Sequence, residues 1–209
     1  MKSKQASKIT PKARGSKRLM SELLTDTRQY IEQAEHADVE TLRQFLLANP
    51  ERPLIAMGHG GAHSSASYAS LLYGTNCGLG RVVTPYEANS FSDETIRNSK
   101  LLLVSTSLKN QDAVYIADRM IRVNPQHSCV LTMSQDENTM MKRMMKNNPN
   151  SVIRHSFDCA DGFISVNGTF IYFSLLYKAF TGDADFSRRL VLSSESADNY
   201  TFRCVDGIT

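Results

Sequence analysis

The stretch Leu54–Ala69, LIAMGHGGAHSSASYA, decides the fold. Four apolar residues without polar alternation run straight into three glycines, two histidines and a set of serines, and a small-residue helical pattern, SSASYASLLYG, follows from Ser64. A continuous apolar run closed by a turn is how a strand buried on both faces reads, and such strands belong to parallel sheets covered by helices. The glycine turn itself leaves three readings open: a cradle for an anion, a metal or nucleophile site, or only a tight strand-to-helix turn.

The same unit recurs downstream. GRVVTPYEANSF (80–91) reads as a strand before the short helix SDETIRNS (92–99), and KLLLVSTS (100–107) leads into NQDAVYIADRMIRVN (110–124). In that helix Ala113, Ile116, Ala117, Met120 and Val123 share one face. SCVLTMS (128–134) leads into DENTMMKRMMKNN (136–148), and NSVIRHSF (150–157) precedes the apolar helix TFIYFSLLYKAF (169–180). Five strands, each followed by a helix, predict an α/β fold: a three-layer α/β/α sandwich around a doubly wound, five-stranded parallel sheet. The stripe Met140, Met141, Met144 and Met145 fits core packing better than a partner groove.

Upstream, Ser21 or Thr25 is expected to cap two helical segments that end before NPERP (49–53), with apolar positions at Leu23, Leu24, Tyr30, Ile31, Ala34, Val39, Leu42, Phe45 and Leu46. The organisation expected is a flexible basic arm at 1–20, helices at 21–50, the α/β domain at 51–182 and an extension at 183–209, in which YTFRCVDG (200–207) could add an edge strand. The first 18 residues carry seven basic side chains and no acidic one. A solvated tail explains them better than a nucleic-acid arm, because no aromatics are interleaved to stack on bases. The net +3 of the whole chain leaves the body mildly acidic, so a nucleic-acid groove is not indicated.

Hydrophobic content of 41% and charged content of 22% place the chain among soluble globular proteins. No apolar run nears the roughly 20 residues of a membrane span, and no secretory signal pattern follows the basic start. Cys77, Cys129, Cys159 and Cys204 are far apart and form no C-x-x-C pair, so free thiols in a reducing cytoplasm are expected.

Ligands of an open parallel sheet bind beyond the carboxyl ends of its strands. Two of the turns there stand out. Residues 58–65 join Gly58, Gly60 and Gly61 to small hydroxyls, letting backbone N–H groups approach a ligand. Residues 105–112 set Ser105, Thr106, Ser107 and Asn110 at a helix N-terminus, which favours an anion. Together they point to a phosphorylated small molecule. Competing signatures fail: there is no third glycine or ribose-binding acid for a dinucleotide, no Lys-Ser/Thr for a P-loop and no G-x-S-x-G elbow. His59 and His63 are spaced to chelate a metal on a helix, but Gly60 and Gly61 between them favour a turn, so neither a metal nor any other cofactor is expected.

At these residues the chain resembles the SIS (sugar isomerase) domain family. LIAMGHGGAHSSASYA, VVTPYEANSF with Glu87, LLLVSTSLKNQDA and VLTMSQDEN with Thr132 follow the family's order and spacing over roughly residues 40–182. The resemblance implies a flavodoxin-like sheet, phosphosugar binding and pairing into a dimer. It assigns Ser105 and Ser107 to the sugar phosphate, Gly58 and Gly60 to the first loop, and Thr106, Asn110 and Thr132 to the same pocket. Leu108 stands where the family has glycine, Ala62 where it has serine and Asn110 where it has threonine. His63, Ser64 and Ser65 are there to supply a hydroxyl or donor.

An isomerase must open the ring and move a proton between C1 and C2, which takes a base and a second acid. Glu87 or Glu137 could be the base, His59 or His63 could open the ring, and Lys109 could steady the oxyanion. Glu87 reads equally as a structural acceptor, and Asp158 and Asp161 as helix caps. The expectation is a phosphosugar-binding protein, acting as an isomerase in a homodimer. The alternatives are a non-catalytic sensing module, or one half of a two-domain enzyme continuing beyond residue 209.

Overall fold

The computed structural model describes residues 20–134, 139–155, 157 and 166–183. Its elements run α1 (Met20–His36), α2 (Glu40–Leu47), β1 (Leu54–Met57), α3 (Gly61–Asn76), β2 (Gly80–Val83), α4 (Pro85–Ala88) and α5 (Asp93–Asn98). There follow β3 (Lys100–Val104), α6 (Gln111–Val123), β4 (Ser128–Thr132), α7 (Thr139–Asn147), β5 (Val152–Arg154) and α8 (Val166–Thr181). The five strands form one parallel sheet in the order β2-β1-β3-β4-β5, the doubly wound arrangement expected.

Alternation along each strand builds a core on both faces of the sheet. Leu54, Ala56, Leu102, Val104, Cys129, Leu131 and Ile153 pack under α1, α2, α3 and α8, against residues such as Leu42, Ala66 and Leu175. Ile55, Met57, Leu101, Leu103, Val130 and Val152 pack on the other face with Ile96, Ile116, Met120, Met141 and Met144 of α5, α6 and α7. Strands covered on both sides have no polar face to show, which is why LIAM and LLLV carry no alternation.

Four expectations shift. Helix α1 already runs at Met20, so Ser21 and Thr25 lie within it rather than capping it. Helix α3 starts at Gly61, three residues before the predicted Ser64, because Gly60 alone takes the left-handed turn, at φ 58°. The strand read over 80–91 ends at Val83, and Pro85–Ala88 within it is a helical turn. Of the methionine stripe, Met141 and Met144 are buried while Met145 is 36% exposed. The arm at 1–19, Glu137, Asp158, Asp161, Cys159, Cys204 and YTFRCVDG lie outside the described residues.

Three long cations cross between elements to satisfy the orphan carbonyls at helix C-termini. Lys178 of α8 donates to Glu35 and Ala37 at the end of α1, at 2.7 and 2.6 Å. Arg43 of α2 donates to Ala179 at the end of α8, at 3.0 Å. Lys100 of β3, 1% exposed, donates to Leu46 at 2.9 Å and to Ala48, closing α2. Among the described residues no helix is long and apolar enough to cross a membrane.

Candidate functional site

Strand order reverses between β1 and β3, and the loops leaving their carboxyl ends open the crevice where doubly wound sheets bind ligands. A cavity of about 170 Å³ lies there, lined by His59, Gly61, Ala62, Pro85, Val104, Ser105, Thr106, Ser107, Asn110 and Ala113. That is the room of about five or six waters, enough for a phosphoryl group and its first carbons. The N-termini of α3 at Gly61 and of α6 behind Asn110 both border it. Two helix N-termini supply free N–H groups and partial positive charge, and no lysine or arginine is among the lining residues.

Each wall follows from local sequence. At Gly58 a Cβ would fall 2.2 Å from the carbonyl oxygen of Ala62, so only glycine lets the chain pass this close to the first turn of α3. Thr84 begins α4 with a capping box: the Glu87 backbone N–H donates to Thr84 Oγ1 at 3.2 Å, and Glu87 Oε2 accepts from the Thr84 backbone N–H at 2.7 Å and its hydroxyl at 2.8 Å. Pro85 at the first helical position is thereby set as a cavity wall. The Thr84-x-x-Glu87 spacing in TPYE is the sequence signature of this cap.

Loop 105–110 is held at several points. The Ser105 backbone N–H donates to Leu131 at 3.0 Å, Ser105 Oγ accepts from the Leu108 backbone N–H at 3.2 Å, and Asn110 Oδ1 accepts from the Ala113 backbone N–H at 3.1 Å. Thr132 is fully buried, and its hydroxyl donates to the Thr106 carbonyl at 3.3 Å. Leu108 adopts φ 51°, a left-handed conformation that favours glycine, and its side chain is 2% exposed within the α5–α7 core. The conformation costs a non-glycine residue roughly 1–2 kcal/mol. Burying the leucine returns roughly 1.5–3 kcal/mol. The core contact outweighs the strain.

The structure therefore brings His59, Ser105, Thr106, Ser107 and Asn110 onto one cavity, with Gly58 and Gly60 shaping its first loop. It leaves other expected residues outside the wall. Ser64 is exposed on α3, and Thr132 is spent on backbone contacts. His63 is half-buried, with Nδ1 buried and without a hydrogen-bond partner. Lys109 borders a shallower depression of about 390 Å³ between α6 and α7, with Tyr115 and Arg143. Glu87 is exposed, and its hydrogen bonds from the Thr84 backbone and hydroxyl hold its carboxyl below its ordinary range, with His63 and Arg81 adding to the effect. Among the described residues no group of three His, Cys, Asp or Glu side chains is placed to hold a metal ion.

No family model matches the chain, and no curated protein sequence matches it. Solved structures do. A candidate phosphosugar isomerase involved in capsule formation from Bacteroides fragilis aligns with a TM-score of 0.58 at 19% identity, over 81% of this chain and 90% of that one. A candidate sugar-phosphate isomerase from Listeria monocytogenes aligns with a TM-score of 0.56 at 10% identity, over 82% of this chain and 94% of that one. A candidate sugar-binding protein from Salmonella typhimurium gives 0.54 at 16% identity, over 81% of this chain and 50% of that one. At these identities the likeness is one of fold.

Proposed function

We propose that the chain is a SIS-type protein that binds a phosphorylated sugar in the β1/β3 crevice. The observation that carries this is the convergence of two helix N-termini with the hydroxyls of Ser105, Thr106 and Ser107 on one small cavity free of cations. A phosphoryl group fits such a lining: its charge meets backbone N–H groups and helix dipoles, and its oxygens accept from the hydroxyls. The sugar body would extend outward over the strand ends. The similarity in fold to the Bacteroides and Listeria proteins supports the same reading.

The activity proposed is aldose–ketose isomerisation of the bound sugar phosphate in a homodimer. His59, on the cavity wall, is the side chain there that can move a proton at the ring oxygen or at C1 and C2. Glu87 enters as the group that fixes Pro85 in the wall, since serving as a base would take it out of its capping box. Glu137 keeps its proposed place as a base. One observation favours the sensing alternative: among the described residues, the cavity wall brings no carboxylate, lysine or second histidine beside His59 to complete an acid–base pair.

The deciding experiment is a thermal-shift screen with aldose and ketose phosphates, alongside the Ser105→Ala/Ser107→Ala double variant. A ligand at a hundred times its Kd stabilises by about 2.7 kcal/mol, a shift of several degrees. Stabilisation of the parent and not of the variant is expected. No stabilisation by any sugar phosphate sinks the reading, and stabilisation without turnover selects the sensor.

A further inference from the structure

Leu108 lines no part of the cavity, yet it holds the loop that does. We propose that Leu108 is a positioning residue of the anion site: its buried side chain keeps loop 105–110 in its binding geometry before any ligand arrives. This rests on the phosphate-binding reading above.

Leu108 is one of two non-glycine residues with positive φ among the described residues, at φ 51°. A leucine leaves that conformation unless something outside the backbone retains it. Here the retaining force is visible: the side chain is 2% exposed and sits with Val83, Ala113, Ile116 and Met141 in the core on that face of the sheet. The same residue's backbone N–H donates to Ser105 Oγ at 3.2 Å, so the anchored leucine also orients a hydroxyl on the cavity wall. Ser107 and Asn110 flank it on either side, and both line the cavity. A glycine here would adopt the turn freely but would also leave it freely; the leucine adopts it under strain and is locked by burial. A ligand that finds its loop already formed does not spend binding energy on ordering it.

The test compares the parent protein with Leu108→Gly, Leu108→Ala and Leu108→Met. Hydrogen exchange of the segment 105–110 is followed without ligand, and affinity for inorganic phosphate is measured by titration calorimetry. Melting and circular dichroism establish that each variant is folded. The parent loop is expected to be protected in the free protein. Leu108→Gly, which removes both strain and anchor, is expected to lose that protection and bind phosphate about tenfold more weakly, as follows if the competent loop falls to about a tenth of the population. Leu108→Met, which keeps a buried anchor, is expected to restore both. Leu108→Ala serves as the check that loss of the anchor alone has the effect of glycine. A free parent loop that exchanges at the rate of unstructured chain overturns the proposal, as does a folded Leu108→Gly with the parent's affinity. A parent protein that binds neither phosphate nor sugar phosphate overturns the site reading itself, and is told apart by the parent titration alone.

Discussion

Lys100 Nζ donates to the Leu46 carbonyl at 2.9 Å from a side chain that is 1% exposed, at the end of the sheet opposite the cavity. Tyr73 stands over the same amine, with its ring centroid 5.0 Å away. Burial pushes the Lys100 amine down to about 8 and, together with the neighbouring Cys77 and Glu51, pushes the Tyr73 phenol up to about 12.

These two groups give the protein opposite slopes in alkali. Between about pH 8 and pH 9 the unfolded chain still binds the lysine proton that the fold has released, so stability rises with pH; above about pH 9 the thiols of Cys77 and Cys129, pushed up by burial, keep protons that the unfolded chain loses, and this opposes the rise. Above pH 10 the unfolded tyrosine ionises while the folded one keeps its proton to about 12, and stability falls. Urea unfolding from about pH 7 to about pH 11 checks this. Lys100→Met should flatten the rise and Tyr73→Phe the fall; a rise that survives Lys100→Met would refute the assignment.

The capping box of α4 separates a structural from a catalytic Glu87. Thr84→Ala is expected to cost about 1 kcal/mol, as lost N-caps do. Glu87→Gln keeps an acceptor for the Thr84 N–H and should bind sugar phosphate like the parent. The Glu87 carboxyl is held low, so its contribution is present above pH 4.5 and is lost as pH falls through the depressed value; Glu87→Gln should lack that acid loss. A Glu87→Gln protein that melts and binds normally but loses all isomerase turnover would return the base role to Glu87.

Ser105 and Ser107 should separate in their effects. Ser107 is exposed, so Ser107→Ala is expected to weaken phosphate binding about tenfold, the worth of one hydrogen bond to a charged group, with melting unchanged. Ser105 also accepts from the Leu108 N–H, so Ser105→Ala should lower both affinity and melting temperature. Equal melting of the two variants would contradict the difference in their contacts.

His155, at the carboxyl end of β5, gives the acid limb a second source. Burial pushes its imidazole below 6.5, opposed by Asp38 and helped by Lys178. The neutral ring is favoured in the fold, so stability is full above pH 6.5 and falls as the pH drops through the depressed value. His155→Asn should make the melting temperature less sensitive to pH in that window, and an unchanged profile would rule the residue out.

The fold was legible because buried parallel strands leave uninterrupted apolar runs, and LIAM, LLLV and SCVLT gave the order of the units directly. The cavity loops were legible from their position after those strands. The first turn of α3 was not: Gly60 and Gly61 read alike, and only the backbone shows that one turns while the other is helical. Lys100 was not legible either, because a lysine opening a strand reads as solvent-facing until α2 is laid over it. Leu108 shows a third kind of loss: a leucine holds a positive φ through a core contact that no local pattern announces.

The crossed helix ends have a consequence for where the chain can be cut. Lys178 closes α1, Arg43 closes α8 and Lys100 closes α2, and Thr27 donates to Asn167 at 2.6 Å across the same seam. A chain begun at residue 51 would lose every partner of Lys100 and Lys178 at these helix ends and strip α8 of its cover by Ile31, Ala34 and Leu42. A piece that folds by itself is therefore expected to need everything from α1 through α8, with the first helices packed as a further layer of the sandwich rather than as its prelude.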